Sequence, residues 1–552
     1  MLLNLKNLAS NLAVSLLSLA LFVFPLEVGS DLYLRHRHKL NEYEEFIEKQ
    51  GVTRKNKQRG ERRIFLIGES AARGVPYEME SSMSGFLAAM IQNDNDSRVR
   101  LINTGMPGRH SFYQKEEGKS LVRYGADGVI FYAGNNDTRD FSNVMRDVPF
   151  AFWDFKLTWH SSFYRVLKRQ ASRVRSRTND WTNKKVFLQN NNQDDLWHWT
   201  DIYLKKKKRY LEDPDLGAKR KSLAIQDYEK NLDSLASYLI RHGIKVYIVE
   251  LPIIHEVLPS IGDYPRKGYT FKLRVKFKTE AERRAWRKAC EEGLAAIRKK
   301  RWNQALSHFL EAQKINSSHP RVYHLMGRCY AATGEYLKAK KMYEKAKEIQ
   351  IQSPGGDGQK SAALKRIAAR HHLPLFASQT ALEELSPHGI VGRNLFLDHC
   401  HPNVLGHKVI AAVMMAGLCK DGFLRCQATE NDWHVWFEKI SRGKINPANL
   451  ANEYLLTGFY LFNGTTWSPK PDFKTAVYYL EKARKITPEK KEIYPLLAAS
   501  YWNIGRKDKS LESLNFLKKI DASEYYKAVN RYPYLVKTEK ISAEHLLLSS
   551  PR

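Results

Sequence analysis

The chain has 552 residues, 43% of them hydrophobic and 11% aromatic, with 90 Lys and Arg against 59 Asp and Glu for a net charge of +31. At about 150 residues per domain this length excludes a single small fold, and the apolar fraction excludes global disorder. The five cysteines are too few for a disulfide-built scaffold.

In chain order, residues 8–26 (LASNLAVSLLSLALFVFPL) form one apolar stretch just long enough to span a bilayer. No small-residue cleavage pattern follows it, so residues 1–28 read as an uncleaved transmembrane anchor. Lys6 precedes the segment and Arg35, Arg37 and Lys39 follow it, a balance that sets no orientation. Residues 29–61 read as a basic, solvated stalk. Short apolar runs then predict five strands at 64–68, 99–105, 128–134, 245–252 and 373–377. Amphipathic stretches between the early strands, such as 82–91, predict crossover helices, so the fold class is α/β with a doubly wound parallel sheet.

Two insertions interrupt this layer. The first, about 149–221, is rich in aromatic residues and basic runs. The second, 280–352, repeats itself: Gly293, Ala305, Phe309 and Ala312 recur 34 residues later as Gly327, Ala339, Tyr343 and Ala346. Small residues where paired helices touch and aromatics where they interlock resemble the tetratricopeptide repeat, an all-α unit. A C-terminal helical repeat region at 445–525 has the same resemblance, with Gly458, Ala476, Leu480, Ala483 and Pro488 in one unit and Tyr501, Gly505, Ser510 and Leu514 in the next. The sheet domain is thus expected in two parts, 62–279 and 353–425.

The residues that could carry chemistry cluster at predicted strand ends. The first strand runs into Gly68-Glu69-Ser70-Ala71, placing Ser70 where a following helix exposes unpaired N–H groups. Taken alone, Ser70 reads as an ordinary helix cap before it reads as a nucleophile. The second strand leads to Asn103-Thr104-Gly105-Met106-Pro107-Gly108 and the third to Gly134-Asn135-Asn136-Asp137. Ligands of open α/β sheets bind at this carboxyl edge. Far along the chain, Asp398-His399-Cys400-His401 precedes a helical run, and three residues of spacing let Asp398 and His401 meet.

These four blocks, in this order, resemble those of the SGNH (GDSL-type) hydrolase family over residues 62–150 and 222–422. The resemblance implies an SGNH/flavodoxin-like sheet with Ser70 as nucleophile, His401 as general base and Asp398 orienting the imidazole. It also implies an oxyanion hole of the Ser70 amide, the Gly108 amide and the Asn136 side chain. The chemistry agrees: a Ser hydroxyl is a poor nucleophile until a base takes its proton, and the tetrahedral intermediate needs donors aimed at its oxyanion. Glu69 and Ala71 depart from the family's usual Asp and Leu. Asn135 competes with Asn136, and Gly105 with Gly108, but family spacing selects the second of each pair.

The expected activity is therefore hydrolysis of carboxylic esters, with acyl groups on carbohydrates or lipids as the implied class and no metal or organic cofactor. Two alternatives stand beside it: an O-acyltransferase using the same triad, and a membrane-tethered scaffold that binds proteins without turnover. The repeats imply a protein partner in either case. The basic charge comes with no nucleic-acid recognition module, so no nucleic-acid partner is expected. Relatives with such anchors imply an extracytoplasmic catalytic domain. His399, His401 and His407 could be drawn as a metal cluster, but lack partners at recurrent zinc spacing. Cys400 reads as a small buried apolar residue and Cys290 and Cys329 as repeat packing, while Cys419 and Cys426 could pair in an oxidising compartment.

Overall fold

The computed structural model describes residues 42–53, 56–94, 98–138, 213–257, 259, 276–351, 353, 355–442, 447–463 and 471–536. The expected anchor at 1–28 and nearly all of the insertion at 149–221 lie outside these residues. Among the described residues no helix is long and apolar enough to cross a membrane. The chain divides into two units, Met1–Thr53 with Asp140–Lys208, and Arg54–Arg139 with Arg209–Arg552. In the first, part of the expected stalk is a helix, α1 (Glu42–Lys49), which buries Tyr43 and Ile47. Their four-residue spacing puts both on one helix face, so this segment is not uniformly solvated.

The second unit is built on five parallel strands: β1 (Arg62–Gly68), β2 (Val99–Asn103), β3 (Gly128–Tyr132), β4 (Lys245–Val249) and β5 (Leu375–Phe376). Their order is β2-β1-β3-β4-β5. All five predicted strands are present. Most end earlier than the apolar runs do, because the chain leaves the sheet to form the loops at its carboxyl edge. The central strands are buried almost end to end, as β1 and β3 illustrate. A parallel sheet covered on both faces requires that.

The helices supply the cover. Between β1 and β2 come α2 (Ser70–Arg73) and α3 (Met83–Asp94); between β2 and β3 comes α4 (Ser111–Ser120); and α5 (Pro214–Arg241) precedes β4. Helix α3 packs with the later α12 (Val404–Lys420) on one side, whereas α4 and α5 pack together on the other. The chain therefore winds to opposite faces on either side of β1, and the strand order reverses between β1 and β3. That crevice is where doubly wound sheets hold their ligands. Helix α5 starts with Pro at its first position and an Asp213 cap accepting from the Asp215 and Leu216 amides. The last residues assigned to the first insertion are thus the opening turns of a core helix.

The inserted repeats are two helical hairpins, α6 (Glu280–Arg298) with α7 (Trp302–Ile315) and α8 (Pro320–Ala332) with α9 (Tyr336–Ile349). The 34-residue period has a direct packing cause. A Cβ at Gly293 would lie 2.7 Å from the Phe309 ring, and one at Gly327 would lie 2.8 Å from the Tyr343 ring. Each glycine thus clears the space its partner's aromatic fills. Cys290 and Cys329 are free and buried in this core. The chain returns through α10 (Gly358–His371), β5, α11 (Ser378–Glu384) and α12, then α13 (Trp433–Ser441).

The C-terminal region continues as α14 (Pro447–Asn463), α15 (Phe473–Ile486), α16 (Ile493–Asn503), α17 (Lys507–Ile520) and α18 (Ala522–Arg531). Ala476 and Ser510, at the same 34-residue spacing, are both fully buried, and a Cβ at Gly458 would meet Leu480 at 2.6 Å. Gly505 instead makes the turn before α17, with φ at 83°. Cys419 and Cys426 form a disulfide at the end of α12.

Candidate active site

Ser70 follows directly from β1. Its helix is only four residues long, ended by Gly74 at φ 97°. So short a helix has little dipole, and what it offers is local: its first N–H groups have no partner within the helix. Ser70 Oγ lies 2.8 Å from His401 Nε2, and His401 Nδ1 lies 2.7 Å from Asp398 Oδ2. The structure thus brings together three residues from loops 331 positions apart in sequence.

The Asp398 turn is built to hold the imidazole. Asp398 Oδ1 accepts from the Cys400 amide at 2.9 Å and the His401 amide at 2.8 Å, leaving Oδ2 for the ring. A bridge between Phe396 and Pro402, with Leu397 N donating to His401 O at 2.9 Å, closes the turn. Asn403 then caps α12 by accepting from Gly406 N. Burial disfavours the Asp398 carboxylate, but the charges of His401 and His399 and its hydrogen bonds outweigh this and hold it well below the ordinary range. Burial likewise opposes imidazolium at His401, and the Cys400 and Asp398 charges reverse that, raising its pKa well above 6.5.

The two ambiguous pairs separate in space. A Cβ at Gly105 would come within 2.5 Å of Arg73 N, so Gly105 is a packing position beneath α2. Gly108 has φ 76° and open space where a Cβ would stand. Asn135 Nδ2 donates to Glu69 Oε2 at 3.3 Å, whereas Asn136 Nδ2 donates to Arg109 O at 2.9 Å and so faces the Gly108 loop. One Asn136 amide hydrogen is left for a ligand. If this amide is an oxyanion donor, Asn136→Ala is expected to lower kcat by about 100- to 1,000-fold. Steady-state kinetics should show KM little changed, because the donor acts on charge formed after binding.

Glu69 appears in the sequence only as a departure from the family block, yet it is fully buried and joins the loops that follow β1 and β3. Its Oε1 accepts from Gly134 N at 2.8 Å while Oε2 takes Asn135 Nδ2. Burial, then the nearby Asp137 charge, pushes its pKa up to about 8. Asp137 in turn accepts from Ser111 N at 3.0 Å, anchoring the third loop to α4. Nothing in spacing or composition signals this role, which depends on β1 and β3 lying side by side.

Cys400 needs correcting as well. It is buried, but its Sγ lies 3.6 and 3.9 Å from the two ring nitrogens of His401, which places it over the imidazole. Burial would raise its pKa, and the His399 and His401 charges draw it down to about 6. It is therefore an electrostatic neighbour of His401 and not inert filling. His407 is buried within α12, its Nδ1 accepts from Met83 N at 3.2 Å, and burial, then the charge of His401, lowers its pKa to about 3.

Two groups among the described residues have metal-ligating atoms within 4.8 Å of one another: Asp398, Cys400 and His401, and His255, Glu344 and Glu383. In the first, both ring nitrogens of His401 are already engaged, by Asp398 Oδ2 and Ser70 Oγ, so a metal there would displace one of these contacts. In the second, His255 Nδ1 accepts from Val391 N at 3.0 Å, which puts the ring proton on Nε2 and removes the lone pair a metal would need.

Comparison with protein-family models finds no match, and comparison with curated proteins finds none. Among solved structures, a GDSL-like lipase from Bacteroides thetaiotaomicron is 10% identical, with 69% of this chain and 98% of that one covered at a TM-score of 0.29. A catalytic mutant of Axe2, an acetylxylan esterase from Geobacillus stearothermophilus, is 12% identical, with 65% and 94% covered at 0.27. YrrB, a tetratricopeptide protein with an unusual peptide-binding site, is 14% identical, with 44% and 89% covered at 0.14. The chain's own strand order and 34-residue helical hairpins make it a parallel α/β layer with inserted and C-terminal helical repeats.

Proposed function

We propose that the chain is a serine ester hydrolase, with Ser70 attacking the ester carbonyl, His401 moving the proton and Asp398 fixing the ring. The observation that carries this reading is the unbroken relay from Ser70 Oγ to His401 Nε2 at 2.8 Å and from His401 Nδ1 to Asp398 Oδ2 at 2.7 Å. The Ser70 and Gly108 amides and the Asn136 side chain stabilise the oxyanion. The alcohol leaves with the proton His401 took from Ser70, and water then releases the acyl group by the same route in reverse. Acyl groups on carbohydrates or lipids are the proposed substrates, and the repeats are proposed to bind a protein partner.

The test is turnover of short-chain nitrophenyl esters by the purified full-length chain, with fluorophosphonate labelling of Ser70. Turnover with labelling supports hydrolysis. Labelling without turnover in water, but with nitrophenol release and formation of a new ester on adding a sugar or lipid alcohol, supports acyl transfer. A folded chain that does neither supports the scaffold.

Residues 8–26 are proposed to anchor the protein in a membrane, with the catalytic unit on the extracytoplasmic side. The Cys419–Cys426 disulfide favours that side, because such bonds persist in oxidising compartments. An alkaline phosphatase fused after Arg63 is expected to be active; an inactive fusion made at normal levels would reverse the orientation.

A further inference from the structure

The inserted repeats rejoin the sheet layer beside the candidate active site, through Ser353, Gly355, Gly356 and Asp357. Gly355 N donates to Asn135 O at 3.0 Å, and Thr138 Oγ1 donates to Ser353 O, so this strap lies along the loop that presents Asn136. On its other side it meets the turn that carries His401. Gly355 has φ 79°, and a Cβ there would come within 2.2 Å of His399 O. A Cβ at Gly356 would come within 2.4 Å of Pro252 O, in the loop that follows β4. Only glycines let the strap fit between these backbones.

Two buried lysines hold it there. Lys360, fully buried in α10, donates to Ser353 O at 2.8 Å and Gly355 O at 2.6 Å. Lys221, from α5, donates to Lys347 O at 3.1 Å and Glu348 O at 2.8 Å at the end of the last repeat helix. It also lies 3.4 Å from Asp357 Oδ2, and Asp357 caps α10 by accepting from Lys360 N at 3.0 Å. Buried charges with this many partners fix geometry, since each displaced carbonyl would lose its donor in a site closed to water.

We propose that this strap makes the inserted repeats part of the catalytic apparatus, with Lys360 as a positioning residue. Through Ser353 and Gly355, Lys360 sets the place of the Asn135–Asn136 backbone and of the His399–His401 turn. The proposal rests on the ester-hydrolase reading. It adds that movement at the end of the repeats reaches the oxyanion loop and the base together.

The test uses the full-length chain and counts active sites by fluorophosphonate titration, so that kcat is expressed per reactive Ser70. Lys360→Met is expected to lower this kcat by about 10- to 100-fold, the effect of sub-ångström to 1 Å misplacement, with KM within about twofold. Thr138→Val, which removes one donor and buries no unpaired charge, is expected to lower it in the same direction by less. Thr138→Ser, which keeps the hydroxyl, should recover it. Wild-type kcat per titrated site in both Lys360→Met and Thr138→Val would overturn the proposal, including the case where only the number of sites or the melting temperature falls. Absence of labelling in the wild type would instead overturn the ester-hydrolase reading beneath it.

Discussion

Replacing Ser70 by Ala is expected to lower kcat on a short-chain nitrophenyl ester by about a millionfold, with His401→Ala close behind. The two losses have one cause. The Ser70 hydroxyl is 2.8 Å from His401 Nε2, and without that base it keeps its proton and its weak nucleophilicity. Removing either member stops acyl-enzyme formation, so the double variant should be no worse than the single ones. The residual rate, about a thousandfold over water, would come from the oxyanion donors and from binding. Steady-state turnover with parallel fluorophosphonate labelling checks this. If Ser70→Ala kept more than about a hundredth of the activity, the nucleophile would have to be sought elsewhere. Cys400, whose Sγ is 3.6 Å from His401 Nδ1, would be the first residue to replace.

Asp398→Asn is expected to cost about 10,000-fold in kcat while leaving the fold intact. The side-chain oxygen of Asn can still accept from the Cys400 and His401 amides, as Asp398 Oδ1 does. Its NH2 group then faces His401 Nδ1, where Oδ2 stood at 2.7 Å. The ring must answer with a lone pair at Nδ1, which puts its proton on Nε2 and leaves no acceptor for Ser70. The pH profile should change too. In the wild type the neutral imidazole is the active form, and its pKa is held above the ordinary 6.5, so kcat/KM rises with pH to a plateau reached above that value. Without the carboxylate, burial acts against one fewer opposing charge and the midpoint moves down.

Stability carries the same signature with opposite signs for the two groups. Asp398 is held below the ordinary carboxylate range, so its contribution is complete above about pH 4 and is lost as pH falls toward its folded value. His401 is held above its ordinary value, so its contribution is complete below about pH 6.5 and is lost as pH rises through the folded pKa. Melting temperatures across this range should show both limbs in the wild type. In Asp398→Asn the acid limb should flatten, and an unchanged acid limb would show that other carboxylates dominate it.

Much of this was legible in the chain because the signals are local. Five apolar runs mark five strands, since a strand covered on both faces must be apolar throughout. The Gly293 and Gly327 spacings mark the repeats, since each glycine must clear an aromatic 16 residues on, Phe309 or Tyr343. Ser70, Gly108, Asn136, Asp398 and His401 stand at block positions that one strand end or one turn defines. Other features were not legible. Glu69 looked like a mere departure from a pattern, because its partners Gly134 and Asn135 come from a different strand. Cys400 looked like filling, because the imidazole it covers belongs to the next residue and its orientation depends on the closed turn.

The sequence by itself determined which segments become strands and helices and which residue types stand at the strand ends, because periodicity, glycine and capping residues act within a few positions. Tertiary structure alone decided that β1 lies between β2 and β3, and so that Ser70, Gly108 and Asn136 share one edge. It also decided that His401, 331 residues away from Ser70, completes the relay, and that Lys360 pins the end of the repeats against the same loops. These are contacts between distant segments, set by how the faces of a common sheet are covered and by the need to satisfy buried charge. No window of neighbouring residues contains that information.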